Sequence, residues 1–232
     1  MTRILSVFVL VVVGCSSGFD RGRIKERLEG EERQIDDEDI RAALASKPQV
    51  RFPIKVGIVF VEDDRTDRSD RRAVPFRWTD QDRESLLAAW ETLRAKGVVS
   101  DLFVISPDLV PGNDLRHLRL AAAKHGADAV LVVKGAAQMD RYANPLALLN
   151  LTIVGGFLAP GSHRDALFSA RCALWDVGNE FLYLTARSEG EAKRQGPTFL
   201  IEDEPALDAA KEDALRGINA ELVRRLASLK GS

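Results

Sequence analysis

From about residue 50 onward, two hydrophobic periods alternate along the chain. Residues 53–61 (PIKVGIVFV) form a short β-branched run, the pattern of a buried strand. Beyond the polar loop EDDRTDRSDRR, Thr79 is placed as an N-cap, with Asp82 at the position of a capping box. Leu86, Leu87, Trp90 and Leu93 then recur at helical spacing until Gly97. Residues 98–106 predict a second strand, Asn113 caps a helix carrying Leu115, Leu118 and Ala122 that ends at Gly126, and residues 128–135 predict a third strand. Residues 165–177 and 180–188 alternate with a period of two around Gly178-Asn179, the pattern of a hairpin. Pro205 opens a last helix whose apolar stripe is Leu207, Leu215, Ile218, Leu222, Leu226 and Leu229.

The order β-α-β-α-β, apolar insert, β-hairpin and C-terminal helix predicts an α/β fold. Its sheet is mixed, with helical crossovers in the first half and antiparallel strands in the second. The insert, residues 144–161 (NPLALLNLTIVGGFLAPG), carries no charge between 146 and 159. At 1.5 Å per residue that stretch makes about 21 Å of helix, against roughly 30 Å of bilayer hydrocarbon. Gly155-Gly156 would also weaken a helix interior by about 1 kcal/mol each. A single transmembrane helix is therefore rejected. Three readings stay open: an element packed on the sheet, a surface buried in a homo-oligomer or against an envelope partner, or a loop dipping into a membrane. The candidate contact residues are Leu146, Leu148, Leu149, Leu151, Ile153, Val154, Phe157 and Leu158.

The amino terminus has a different character. Arg3 precedes an apolar run over residues 4–13, broken only by Ser6 and ending in Val12-Val13-Gly14-Cys15. As a helix the run is roughly 15 Å, too short to span, so it reads as a targeting segment. Val12, Val13, Gly14 and Cys15 resemble the lipobox of bacterial lipoproteins. That resemblance implies cleavage before Cys15, a thioether-linked diacylglycerol on its sulfur and an acyl chain on its amino group. Two or three chains anchor stably where one is marginal. Ser16 rather than Asp follows the cysteine, which is similar to the sorting pattern for outer-membrane delivery facing the periplasm. The expected organisation is a signal peptide over 1–14, an acylated cysteine and flexible charged tether over 15–50, and a single α/β domain over 51–232.

Composition narrows the chemistry. The 232 residues are 45% hydrophobic and 29% charged, enough for one domain with a real core. With 33 Lys+Arg against 35 Asp+Glu there is no basic stripe to displace counterions from phosphates, so no nucleic-acid partner is expected. Cys172 is the other cysteine, in the alternation Ala166, Phe168, Ala170, Cys172, Leu174, and reads as a buried structural thiol. His117 and His125 sit more than two helical turns apart, too far to share a metal, and His163-Arg164-Asp165 reads as a solvated turn. The acidic runs at 36–39 and 62–64 lack the glycine and spacing of a calcium loop. No phosphate loop or nucleophile elbow occurs. Trp175-Asp176, before the Gly178-Asn179 turn, is a candidate recognition surface; the plainer reading is a cross-strand aromatic pair with Phe181 or Tyr183. The sequence names no catalytic set, metal site, cofactor or small-molecule ligand.

The runs ISPDLVPGNDLRHLRLAAAKHGADAVLVV, LLNLTIVGGFLAPGSHRDA and ALWDVGNEFLYLTARSEG are similar in order and spacing to the rhombotarget lipoproteins of bacterial envelopes, over roughly residues 54–229. Some of those carry a glycine-rich C-terminal sorting tail, whereas this chain ends RRLASLKGS. At fold level the element order is also similar to the curli secretion lipoprotein and the amino-terminal domain of TolB. The resemblances imply an envelope lipoprotein acting as a non-enzymatic binding or assembly module. The alternative is a subunit of an oligomeric envelope or secretion complex that uses residues 146–159 as its contact. An unrecognised periplasmic enzyme is the reading with least support.

Overall fold

The computed structural model describes residues 18–29, 36–62, 70–106, 112, 114–143, 162–196 and 200–230. Among them the helices are α1 (Arg21–Glu29), α2 (Asp37–Ala45), α3 (Asp80–Ala95), α4 (Leu115–Lys124) and α5 (Glu204–Leu229). The strands are β1 (Ile54–Val61), β2 (Ala73–Val74), β3 (Val99–Val104), β4 (Ala129–Ala143), β5 (Ser162–Asp176) and β6 (Leu182–Gly196). One mixed sheet runs in the order β3-β1-β4-β5-β6, with β2 beside β4 where β1 has ended. β1 is parallel to β3 and β4, and the β4, β5 and β6 pairings are antiparallel. The α/β class and mixed sheet expected from the pattern are those observed.

Chain handedness explains the layers. The step from β1 to β3 and the step from β3 across β1 to β4 run in opposite directions. Right-handed crossovers therefore place α3 and α4 on opposite faces. α3 and α5 cover one face, packing Leu86, Trp90, Leu93, Leu215, Ile218 and Leu222 against Val56, Ile58, Leu131 and Phe168. α4 covers the parallel half of the other face, with Leu118 and Ala122 on Val59, Val130 and Val132.

The local signals work as chemistry predicts. Thr79 Oγ1 accepts from Asp82 N–H while Asp82 Oδ2 accepts from Thr79 N–H at 2.8 Å, a full capping box. Gly97 and Gly126 end α3 and α4 at φ of 64° and 69°, where a side chain would be strained. The cap of α4 is Asp114, not Asn113, which lies outside the described residues; Asp114 Oδ1 accepts from His117 N–H at 2.9 Å.

The strands of the hairpin region are longer than their hydrophobic runs. β4 continues from Gly135 through the small and polar GAAQMDRYA, because β2 and β5 supply its ladder and helices cover it. The inner line of α5 also differs from the predicted stripe. Leu207 is half-buried, while Ala206, Ala210 and Ala214 are fully buried and bring the helix backbone against β6 at Gly190. Lys211 and Asp82 form a buried ion pair at 2.9 Å that joins α5 to α3.

Candidate functional site

Residues 15–50 were expected to be a flexible charged tether, with at most a short helix near Asp36–Ala45, and α2 lies there. The described part of that stretch is stitched to the sheet at two places. Asp20 meets Gln138 of β4 through both backbone groups: its N–H donates to Gln138 Oε1 and its carbonyl accepts from Gln138 Nε2, each at 3.1 Å. Gln138 is fully buried and its amide also donates to Asp70 Oδ2 at 2.8 Å, so this polar core group is satisfied. From there α1 lies along the face that α4 leaves open. Ile24 and Leu28 are buried against Ala136 and Leu167. Arg21 pairs with Glu189 at 3.0 Å and with Glu191, Arg27 donates to the Ala137 carbonyl at 3.2 Å, and Arg72 donates to the Gly18 carbonyl.

The sequence signal for this clamp was weak. α1 supplies only two buried apolar residues within RGRIKERLE, and a polar β4 residue, Gln138, provides the rest. The exposed helix α2, by contrast, follows its cap: Asp36 accepts from the N–H groups of Glu38 and Asp39.

The second stitch is at the β5–β6 turn. Asp176 Oδ1 accepts from Gly178 and Asn179 N–H at 2.7 and 3.3 Å, closing the turn predicted at Gly178-Asn179. Tyr183 donates its hydroxyl hydrogen to Asp176 Oδ2 at 2.6 Å and accepts from the N–H groups of Gln49 and Val50 at 3.2 and 3.1 Å. Burial, reinforced by Asp176, pushes the Tyr183 phenol up to about 12. Asn179 Nδ2 donates to the Lys47 carbonyl at 2.6 Å. The aromatic partners here are Phe181 and Tyr183, at 5.1 Å between ring centres. Trp175 faces the other side of the sheet with the α4 cluster, so the expected pairing of Trp175 with either ring does not form.

Between α1 and α4 lies a half-open cleft of about 220 Å³. Its apolar walls include Leu28, Leu115, Leu118, Val132 and Trp175. Its floor carries Lys134 and Arg171, which are direct cross-strand partners, and Arg171 is in register with Arg187 on β6. Three cations in one row across adjacent strands repel one another, an arrangement that stability alone does not favour. Arg187 is offset by Glu189 at 2.6 Å; no carboxylate of the described residues pairs with Arg171.

Other ionisable groups are committed to the fold. Cys172 is 1% exposed, and burial pushes its thiol up to about 12, so the expected structural thiol is observed. His117 Nδ1 lies 2.8 Å from Asp114 Oδ1 at the start of α4, and His125 is tilted against Phe103 at 5.5 Å. His163 is not in a solvated turn: it lies in β5 and stacks on Tyr142 at 4.9 Å. Asp165 beside it is buried and accepts from the Tyr142 hydroxyl at 3.1 Å. Among the described residues no group of three or more His, Cys, Asp and Glu side chains is placed to hold a metal, and no helix is long and apolar enough to cross a membrane.

The lipobox residues Val12, Val13, Gly14 and Cys15 lie outside the described residues, as do the candidate contacts Leu146, Leu148, Leu149, Leu151, Ile153, Val154, Phe157 and Leu158. What the structure does place are the two roots of the apolar segment, Ala143 and Ser162, which are paired across β4 and β5.

These features define a class: a three-layer mixed α/β domain with residues 18–29 packed on one face. No protein-family model matches the chain, and no curated protein matches it. Several solved structures are similar to it at fold level. The PelC dodecamer from Paraburkholderia phytofirmans is 18% identical over 75% of this chain and 92% of that one, with a TM-score of 0.30. A minor lipoprotein from Acinetobacter baumannii is 10% identical over 77% and 93%, at 0.34. Lipoprotein GNA1162 from Neisseria meningitidis is 12% identical over 76% and 99%, at 0.32. Two of these three are lipoproteins by name. At such identities and scores the likenesses assign neither family nor function, and the rhombotarget resemblance rests on sequence motifs alone.

Proposed function

We propose that the chain is a lipid-anchored protein of the bacterial cell envelope, attached through Cys15 to the outer membrane on its periplasmic side. Its α/β domain acts as a non-enzymatic binding or assembly module. The observation that carries this reading is the Val12-Val13-Gly14-Cys15 sequence after a short apolar run. The commitment of Cys172, Tyr183 and the three histidines to packing, turns and caps supports a module without catalytic duties. The surface it offers is the α1–α4 cleft, whose apolar walls and Lys134-Arg171 floor suit an acidic, partly apolar partner segment.

The test is Cys15→Ser in a bacterial host. Loss of membrane partitioning, together with retention of the unprocessed, unacylated mass, is the expected result. A variant that still partitions and runs at the wild-type mass would rule out the anchor. For the module itself, Arg171→Glu should abolish capture of the acidic partner while leaving membrane partitioning intact. Any measurement of oligomeric state should keep α1, since removing it would uncover Ala136 and Leu167.

A further inference from the structure

Two unpartnered surfaces of this chain complement each other. The first is on α2, which Asp36 caps but of which no residue is buried. A helix of 9 residues is marginal in water without a tertiary contact. Asp37, Ile40 and Leu44 recur at i, i+3 and i+7 and so line one face of it. Ile40 is 51% exposed and Leu44 80%. Among the described residues no side chain pairs with the Asp37 carboxylate. This face is therefore a carboxylate followed by two aliphatic side chains, over about 10 Å at 1.5 Å per residue. It does not enter the cleft of its own chain: Ser46 and Lys47 are held on Asn179 at the β5–β6 turn, and no α2 residue lines the cleft.

The cleft between α1 and α4 offers the opposite pattern. Lys134 already has a partner and Arg187 is held by Glu189, so the cation left over is Arg171. Arg171 and Trp175 line the cleft from β5, about 13 Å apart along the strand. Leu28, Leu115 and Leu118 supply apolar wall. A cavity of about 150 Å³ holds benzene, so one of about 220 Å³ takes two branched four-carbon side chains, though not a whole helix. Resting on the reading of this cleft as a site for an acidic, partly apolar segment, we infer that the segment is α2 of a second copy of this chain. Asp37 meets Arg171, and Ile40 and Leu44 enter between the apolar walls while the helix lies across the mouth. The contact joins two different surfaces, so copies add head to tail, in a closed ring or a filament. One short helix buries less than the about 1,200 Å² of a stable interface. The contact therefore forms where copies are concentrated, as on the membrane to which an acylated Cys15 holds them.

The test uses the full chain as a bacterial host matures it, on vesicles of phosphatidylcholine and phosphatidylglycerol, or concentrated in buffer should it not partition. Lys96→Cys, at an exposed position, carries a donor dye in one batch and an acceptor in another, while buried Cys172 stays unlabelled. Energy transfer between copies above that of a random mixture is the expected result. Asp37→Arg or Arg171→Glu alone brings like charges together and should weaken association about tenfold or more. Neither change threatens the fold, since α2 has no buried residue and Arg171→Glu relieves the like-charged row. Mixing the two variants should restore transfer: the Asp37→Arg helix finds the Arg171→Glu cleft, and the unchanged helix finds the unchanged cleft. A wild type without transfer, transfer that survives both single substitutions, or single variants that mixing fails to rescue would each overturn the self-assembly. A dye-labelled peptide of residues 36–46 separates this failure from that of the cleft reading. Peptide binding that Arg171→Glu abolishes, without transfer between copies, leaves the cleft reading standing and sinks self-assembly alone. Absence of both sinks the two together.

Discussion

Gly190→Ala is the substitution for which the structure makes its sharpest demand. Gly190 lies on β6 where α5 crosses, and Ala206, Ala210 and Ala214 allow the helix to sit directly on the strand. A Cβ at 190 would stand 2.6 Å from Ala214 N and 3.0 Å from Asp213 Cβ, and closer still to the Ala210 carbonyl oxygen. Two of those three atoms are helix backbone, so no rotamer change or side-chain truncation on α5 relieves the overlap. The helix must lift by about 1 Å, opening the Leu215, Ile218 and Leu222 contacts along its length. Overpacking typically costs about 1–3 kcal/mol, and an immovable obstacle argues for about 3. For a chain of this size that is a Tm lowered by roughly 6–12 °C. Urea unfolding followed by the fluorescence of buried Trp78 and Trp90 reads it directly. Gly196→Ala on the same strand is the control: its Cβ would sit 3.5 Å from Ile201 Cβ, an ordinary contact, and should be neutral or slightly stabilising. If Gly190→Ala unfolds within about 0.5 kcal/mol of the wild type, the account of how α5 approaches β6 is wrong.

Three further outcomes are expected. Lys211→Met should destabilise by about 3 kcal/mol in the same assay, because it strands buried Asp82, and adding Asp82→Asn should recover part of the loss in a double-mutant cycle. In the Cys15→Ser background, a thiol reagent at pH 8 should leave Cys172 unmodified in the native protein and modify it fully in denaturant; rapid native reaction would contradict the burial that pushes this thiol up to about 12. Asp203 is held below the usual carboxylate range by its hydrogen bond from Arg141, with Arg164 adding attraction. Its contribution is thus present above the unfolded pKa of about 4 and is lost as pH falls through the lower folded value. Since the group is partly exposed, the effect is no more than about 1 kcal/mol, and Asp203→Asn should remove it from an acid titration of stability.

The route of the first half of the fold was legible because its signals are local. A β-branched run, the Thr79 cap and the Gly97 and Gly126 stops each act within a few residues, so β1, α3, β3 and α4 fell near their predicted places. The lipobox is equally local, and the functional reading rests on it. Cys172 was legible through period-two alternation, since a half-buried strand marks its inner face residue by residue.

The rest depended on contacts across the chain. The second halves of β4 and β6 are polar or small and look like loops until neighbouring strands supply their ladders. α1 has too few apolar residues to be stable as an isolated helix and forms because the open half of the sheet face and a buried glutamine receive it. The like-charged row Lys134, Arg171 and Arg187 exists only in the strand register, with those residues far apart in sequence. Short-range patterns thus carried the class of fold and the expected anchor, since each acts within a few residues of itself. That residues 18–29 of the expected tether pack on the sheet depends on tertiary structure, because it turns on which long-range partners a weakly apolar segment finds.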